Sequence, residues 1–177
     1  MPGSERRRLR PTARCGLAAI VASALVTVLA ACASGDEGGP IVDRIDDAIF
    51  AVETHYQAPQ DYFEISATDT VVSVIVAVDG GPEAAQAFWS REDGLVAPVP
   101  VVAMDRPTFR SGDLDFRPGR VLAQVRDELP NATIVDFAVT AATDGAVVYD
   151  ARLQSEQGGR LLVLLDGDGR ILAVQAE

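Results

Sequence analysis

Two stretches of the chain carry apolar residues at the spacing of one face of an α-helix. In PIVDRIDDAIFAVETHY, which starts at Pro40, polar residues fill the positions between the apolar ones. In RPGRVLAQVRDELP the spacing is the same, Pro118 opens the segment and Pro130 ends it, as proline suits a first helical turn but cannot continue a helix. The pattern predicts helices over residues 41–55 and 118–129. Their core-facing stripes are Ile41, Ile45, Ala48, Ile49 and Val52, and Val121, Leu122, Val125 and Leu129.

Short apolar or alternating runs follow each helix and are separated by glycine or aspartate turns. Such runs indicate β-strands joined by hairpins. The predicted strands are 62–67, 71–78, 84–90 and 95–102 after the first helix, and 132–141, 146–153, 160–165 and 171–175 after the second. Consecutive strands joined by tight turns are antiparallel, and a sheet with one helix buries one face against it.

The turns recur along the chain. Asp69-Thr70 precedes Asp144-Gly145 by 75 residues, and Asp93-Gly94 precedes Asp168-Gly169 by the same distance. The recurrence predicts an α+β fold of two tandem units, each of one helix packed on an antiparallel sheet of about four strands. These units would cover residues 41–102 and 118–177, with a linker at 103–117. The alternative is that a protein rich in Asp-Gly hairpins aligns with itself by coincidence.

The first 31 residues have the parts of a secretory signal. Five arginines come first, an apolar run covers residues 16–28, and Leu29-Ala30-Ala31-Cys32 follows. These four residues resemble the lipobox of bacterial lipoproteins. The resemblance implies that Cys32 is lipidated, that the chain is cleaved between Ala31 and Cys32, and that the protein is anchored in the cell membrane, facing outside the cytoplasm.

Cys32 has two other interpretations. A disulfide would need Cys15, which lies inside the predicted signal segment, so the mature chain would have no partner for it. An uncleaved anchor over residues 15–33 would be about long enough to cross a bilayer, but its alanines and hydroxyl residues make it weakly hydrophobic. Two acyl chains on Cys32 hold a protein on a membrane where one chain would exchange.

Removal of residues 1–31 makes the chain strongly acidic. Ten arginines and no lysine then face 25 acidic residues, a net charge near −15. Such a surface repels phosphate backbones, which argues against nucleic-acid binding. Residues 32–40 contain ASGDEGGP after the cysteine, a composition typical of a flexible tether.

The end of the chain carries a second resemblance. The stretch LLVLLDGDGRILAVQ, residues 161–175, is similar to the last hairpin of the PepSY-type modules of bacterial envelope proteins. The tandem arrangement also resembles the β-lactamase-inhibitor-protein architecture. The resemblance implies non-catalytic binding, inhibition or regulation of a protein outside the cytoplasm.

The chain offers few residues for chemistry. His55 is the only histidine, at the end of the first helix, where a polar or cationic side chain complements the terminal carbonyls. A hydrolase would have to use it, and no serine lies in a Gly-x-Ser-x-Gly turn. Zinc would need thiols that the mature chain lacks beyond Cys32. The sequence predicts no enzyme, no catalytic residue, no metal and no cofactor.

Asp166-Gly167-Asp168-Gly169 has two interpretations. Closely spaced carboxylates with glycine can bind calcium, but an EF-hand loop needs further oxygen ligands and a glutamate at its twelfth position. Here the chain continues directly into the apolar strand after Arg170. A hairpin turn, in which glycine supplies the positive φ, is the favoured interpretation.

Phe88-Trp89 is a candidate binding feature. Neighbours in a strand point to opposite faces, so one ring faces the core and the other faces outward. An outward Trp89 beside Arg91 would be an anchor of the kind enriched at interfaces. The favoured alternative has Trp89 in the core and Phe88 half-covered.

Two classes of function follow from these observations. The first is a membrane-tethered, non-catalytic binding or regulatory module for an envelope protein or ligand that the sequence does not identify. The second is a carrier of a small apolar ligand, which would need an apolar cavity of several hundred Å³. A hydrolase using His55 is the least favoured alternative.

Overall fold

The computed structural model describes residues 39–177. In this part of the chain a short 3-10 helix (Val42–Arg44) leads into helix α1 (Ile45–Tyr56), and helix α2 spans Pro118–Glu128. Strands β1 (Asp61–Ala67), β2 (Val71–Ala77), β3 (Ala84–Ser90) and β4 (Gly94–Val101) follow α1, and the short β5 (Phe109–Arg110) precedes α2. Strands β6 (Ala132–Ala141), β7 (Val147–Ser155), β8 (Arg160–Leu165) and β9 (Ile171–Ala176) follow α2. None of these helices is long and apolar enough to cross a membrane.

One continuous antiparallel sheet corrects the predicted fold class. Its order is β4-β3-β2-β1-β6-β7-β8-β9, with β5 also paired to β1. Strands β1 and β6 join the two halves, from Glu64 opposite Thr140 to Ala67 opposite Phe137. The prediction of two tandem units, each with its own sheet of about four strands, is therefore wrong. The unpaired edges of two four-stranded sheets satisfy each other's N–H and C=O groups when they meet, which an apolar pattern does not reveal.

The core lies between the helices and one face of this sheet. Both helices bury their apolar stripes there, and the strands contribute every second residue. On β2 these residues are Val72, Val74 and Val76, all fully buried. Burying one such side chain contributes about 1.5–3 kcal/mol relative to leaving it exposed.

The segment between β4 and α2 is tied to the centre of the sheet. Strand β5 lies beside the first residues of β1, where Arg110 Nε donates to Asp61 Oδ1 at 2.8 Å. Earlier in the segment, Met104 packs against a small second cluster that contains Phe63. The predicted linker at 103–117 thus contains a strand that the sequence pattern did not indicate, because two residues are too few to show alternation.

The turn between β8 and β9 packs closely against α2. Gly169 adopts a φ of +86°, and a Cβ at this position would lie 2.6 Å from the Cα of Val121. The Gly169 N–H donates to the Asp166 carbonyl at 2.9 Å, and the Asp166 carboxylate accepts from the N–H groups of Asp168 and Arg170. The sequence Asp166-Gly167-Asp168-Gly169 therefore forms the expected hairpin turn.

Candidate functional site

The helices of residues 39–177 pack on one face of the sheet, and the side chains between the core residues point to the opposite face. We call this second surface the open face. The strand register places these residues across its middle: Ser73 and Ile75 of β2, Glu64 and Ser66 of β1, Asp136, Ala138 and Thr140 of β6, and Asp150 and Arg152 of β7. Within residues 39–177, the open face is thus the side of the sheet that α1 and α2 leave uncovered.

Charged side chains are concentrated where β1, β6 and β7 cross the centre of the open face. Arg152 Nη1 lies 2.7 Å from Asp136 Oδ2, and its Nε lies 3.7 Å from Glu177 Oε1. From the segment after β4, Arg106 Nη2 lies 2.9 Å from Glu64 Oε2. Each arginine therefore has a close carboxylate partner, and the carboxylates outnumber the arginines.

Asp150 is the least satisfied carboxylate of this cluster. Its register neighbours on the open face are Ala138 on β6 and Leu164 on β8, neither of which offers a side-chain donor. Burial raises the pKa of Asp150 to about 6, and the negative charges of Asp136 and Glu64 act in the same direction, while Arg152 opposes them. Asp150 therefore holds its proton to a higher pH than an ordinary aspartate.

Asp136 experiences the same environment but has a direct partner. Burial is the main cause that raises its pKa above the ordinary value, and the charge and hydrogen bond of Arg152 counteract that effect. Its side chain is 18% exposed, against 50% for Arg152. The pair therefore has its anion held in the sheet and its cation reaching toward solvent.

Apolar side chains extend the open face toward β4. Phe88 is 40% exposed and lies opposite Val96, and Val99, which is 52% exposed, lies opposite Gln86. Gln86 Nε2 donates to Ser73 Oγ at 2.8 Å, which links this apolar strip to the polar centre. An exposed apolar patch beside polar residues is the usual composition of a protein interaction site.

A cleft lies at the end of the sheet that carries the β6–β7 and β8–β9 turns. This cleft has a volume of about 630 Å³ and is lined largely by polar residues, including Asp113, Asp115, Arg117, Asp166 and Asp168. The hydrogen bond from the Arg170 N–H is the main cause that lowers the pKa of Asp166. Within residues 39–177 no group of three or more histidine, cysteine or acidic residues is placed to hold a metal.

The structure resolves the alternatives for Phe88 and Trp89. Trp89 points to the helix side and packs against the main core, while Phe88 points to the open face. Arg91 lies in the β3–β4 turn, where its Nη2 is 3.5 Å from Asp43 Oδ2. Trp89 packs against the core and Arg91 lies in an exposed turn, so the two residues do not form the anchor with an outward Trp89.

The remaining predicted residues lie away from the open face. His55 is exposed in the last turn of α1, with its ring 5.1 Å from the Tyr56 ring. Ala31 and Cys32 lie outside the described residues.

The open-face charges were missed by the sequence analysis. Asp136, Asp150 and Arg152 all sit in predicted strands, where a charged residue between apolar neighbours signals the face away from the core. That signal marks single residues as outward. It does not show that β1, β6 and β7 are adjacent, which is what brings the charges together.

Comparison with known proteins supports the fold. The chain is similar to a crystal structure of a "putative lipoprotein" from Clostridium difficile 630, with a TM-score of 0.56, covering 75% of this chain and 91% of that one. The sequences are 16% identical, so the likeness concerns the fold alone. No family model and no curated protein matches the sequence of this chain.

Proposed function

We propose that this protein is a lipid-anchored lipoprotein of the cell envelope whose open face is a non-catalytic binding surface for another protein. The lipobox-like residues Leu29-Ala30-Ala31-Cys32 support the anchor. The crystal structure that shares the fold also carries the word lipoprotein in its name. The observation that carries the binding role is the open face itself. Its exposed apolar side chains extend from a cluster of charged residues in which the carboxylates outnumber the arginines.

The electrostatics of the open face support a partner with a basic group. Arg106 and Arg152 are already engaged with Glu64 and Asp136, so the charge of Asp150 has no direct partner. A lysine or arginine of a partner placed over Asp150 would form an ion pair that compensates for the hydration lost by the carboxylate. Exclusion of water from the contact would strengthen this ion pair. The neighbouring strip of Phe88, Val96 and Val99 would supply apolar contact.

The position of the first described residues in the fold supports a defined orientation of the sheet relative to the membrane. The Ile41 N–H donates to the Thr68 carbonyl at 2.7 Å, so the described chain begins beside the β1–β2 turn. Gly39 lies seven positions after Cys32, and an extended chain over seven positions spans at most about 25 Å. The end of the sheet with the β1–β2, β3–β4 and β7–β8 turns would therefore face the membrane, and the acidic cleft would point away.

The anchor is tested by Cys32→Ala. We expect the variant to keep its signal segment and to lose lipid modification, because the lipobox thiol is the acceptor. Mass spectrometry of the mature N-terminus and fractionation of cells provide the measurement. Wild-type processing and lipid content in the variant would contradict the anchor.

The binding surface is tested by photo-crosslinking in native membranes. A photoreactive residue replaces Phe88 on the open face, and a matched variant carries it at Phe50, which is 73% exposed on α1. We expect a discrete adduct from position 88 that is weakened by Asp150→Asn and absent from position 50. Equal adducts from both positions would show that the open face is not preferred.

A further inference from the structure

The two edges of the sheet differ in their protection against strand pairing. Strand β4 forms one edge and contains Pro98 and Pro100, which have no N–H to offer. Strand β9 forms the other edge and has the sequence ILAVQA, without proline or charge. Natural sheets usually block their edges with proline, charge or a covering segment. Within residues 39–177, β4 is blocked in this way and β9 is not.

The register shows which backbone groups of β9 are available. The Glu177 N–H donates to the Arg160 carbonyl at 3.0 Å, so residue 177 points toward β8. Antiparallel residues alternate between pointing toward and away from a neighbouring strand. Val174, opposite Val163, and Ala176, opposite Leu161, therefore direct their N–H and C=O groups away from β8.

The side chains along this edge add apolar surface to the free backbone groups. Leu172 is 62% exposed and Val174 is 47% exposed, both beside the edge. A row of donors and acceptors at strand spacing is complementary to another extended backbone, and alternate apolar side chains provide contact beside it. We infer that β9 is a docking edge that accepts an extended segment of another protein as an additional strand.

Charge indicates what kind of segment fits. Residues 39–177 hold 10 arginines against 23 acidic residues, so the domain attracts basic chains and repels acidic ones. The partner segment is therefore extended, apolar at alternate positions and basic at its ends.

A second copy of this chain does not fit the edge when both copies are anchored, a step that rests on the proposed lipid anchor. Antiparallel pairing of β9 with β9 of a second copy turns that copy upside down. Its Gly39 would lie about 30 Å farther from the membrane, the length of a ten-residue strand such as β6. The tether spans at most about 25 Å. The like charges of the two copies also oppose this pairing.

The test uses the full chain in detergent micelles and a synthetic eight-residue peptide of alternating valine and threonine with a lysine at each end. Two control peptides carry a glutamate at each end or N-methyl groups on the backbone amides that would pair. Binding is measured by fluorescence anisotropy, and hydrogen exchange reports on individual amides. We expect slower exchange at Val174 and Ala176 with the lysine peptide, and binding at least about tenfold weaker for the N-methylated peptide because its donors are blocked.

A pair of variants assigns the effect to the β9 backbone. Val174→Pro removes one outward N–H and should weaken binding about tenfold, while Val174→Thr keeps the N–H and the branched shape and should bind like wild type. If Val174→Pro fails to fold, the N-methylated peptide makes the same comparison on the wild-type chain. Peptide binding independent of backbone donors, protection on β4 in place of β9, or a dimer that forms without peptide and is dissolved by Val174→Pro would each overturn the inference. None of these outcomes bears on the Cys32 and Phe88 experiments, which test the proposed function separately.

Discussion

The two faces of the sheet are built from the same strands and differ in almost every other respect. On the helix side, β2 presents Val72, Val74 and Val76, and all three are fully buried. On the open face the same strand presents Ser73 and Ile75, which remain partly exposed. The helix side therefore holds the main core, while the open face carries partly exposed polar and charged groups beside a smaller apolar cluster.

The two faces also differ in where charged residues lie. Among residues 39–177, no polar or charged residue is fully buried in the core. Asp136 and Asp150 on the open face are partly desolvated, and burial raises the pKa of both. A protein tolerates desolvated carboxylates more readily where a function uses them, which is why perturbed groups indicate candidate sites.

The largest effect should come from the helix side. Phe137→Ala removes a ring that packs against Phe116 and Tyr149, with centroids 5.7 and 6.3 Å away. We expect a loss of about 3–5 kcal/mol in the free energy of unfolding, because a fully buried aromatic side chain leaves a cavity. The matched variant Phe88→Ala on the open face should lose less than about 1 kcal/mol. Urea unfolding measures the free energy of unfolding of both variants. Similar losses would contradict the conclusion that buried side chains on the helix side contribute more stability than side chains on the open face.

The next effect concerns the ion pair at the centre of the open face. Arg152→Gln leaves the carboxylate of Asp136, with 18% of its side chain exposed, without its cation. We expect a loss of about 1–2 kcal/mol at pH 7, since a mostly buried charged group then lacks a strong partner. The loss should shrink as the pH is lowered, because Asp136 takes up a proton. A loss that does not change with pH would point to packing of the arginine stem.

Replacement of Asp150 should raise the stability at pH 7, whereas replacement of Arg152 lowers it. Its pKa is raised from 3.8 to about 6 in the folded chain, so the folded state binds the proton more tightly than the unfolded state does. Stability should therefore fall as the pH rises from about 4 to about 6 and stay lowered at pH 7. After allowance for solvent screening, Asp150→Asn should gain about 1 kcal/mol at pH 7.

The pH dependence supplies the control for Asp150. Asp150→Asn should flatten the stability profile between pH 4 and 6, while Asp105→Asn, at an exposed position in the segment after β4, should leave it unchanged. Thermal unfolding across this pH range measures both variants. A steeper profile in Asp150→Asn would contradict a desolvated carboxylate at this position.

The smallest effect is expected at His55, which lies on neither face. His55→Ala should lower stability by at most about 0.5 kcal/mol, from the lost interaction with the terminal carbonyls of α1. Any biological activity of the purified chain should stay largely intact. Assays with ester, peptide and glycan substrates provide the contrast, because a positioned general base contributes at least about 100-fold in rate. Turnover by the wild type that disappears in the folded variant would overturn the non-catalytic proposal.

Local pattern was sufficient to place the strands other than β5. The predicted runs 84–90 and 132–141 match β3 and β6, because alternation and turn residues act within a few positions of each other. The same alternation required one ring of the Phe88-Trp89 pair to face the core, and in the structure that ring is Trp89. The turn at Asp166-Gly167-Asp168-Gly169 was equally local, since its hydrogen bonds join residues at most four apart.

Tertiary structure decided everything that depends on which strands are neighbours. Ser66 and Asp150 are 84 positions apart in the chain and share one row of the open face only because β1 pairs with β6. The raised pKa of Asp150 and its lack of a direct partner follow from that pairing, as does the choice of β4 and β9 as the outer strands. An apolar pattern specifies which side of a strand is buried, because burial acts on each residue. It does not specify which strand edges pair with each other, because backbone donors and acceptors are the same in every strand.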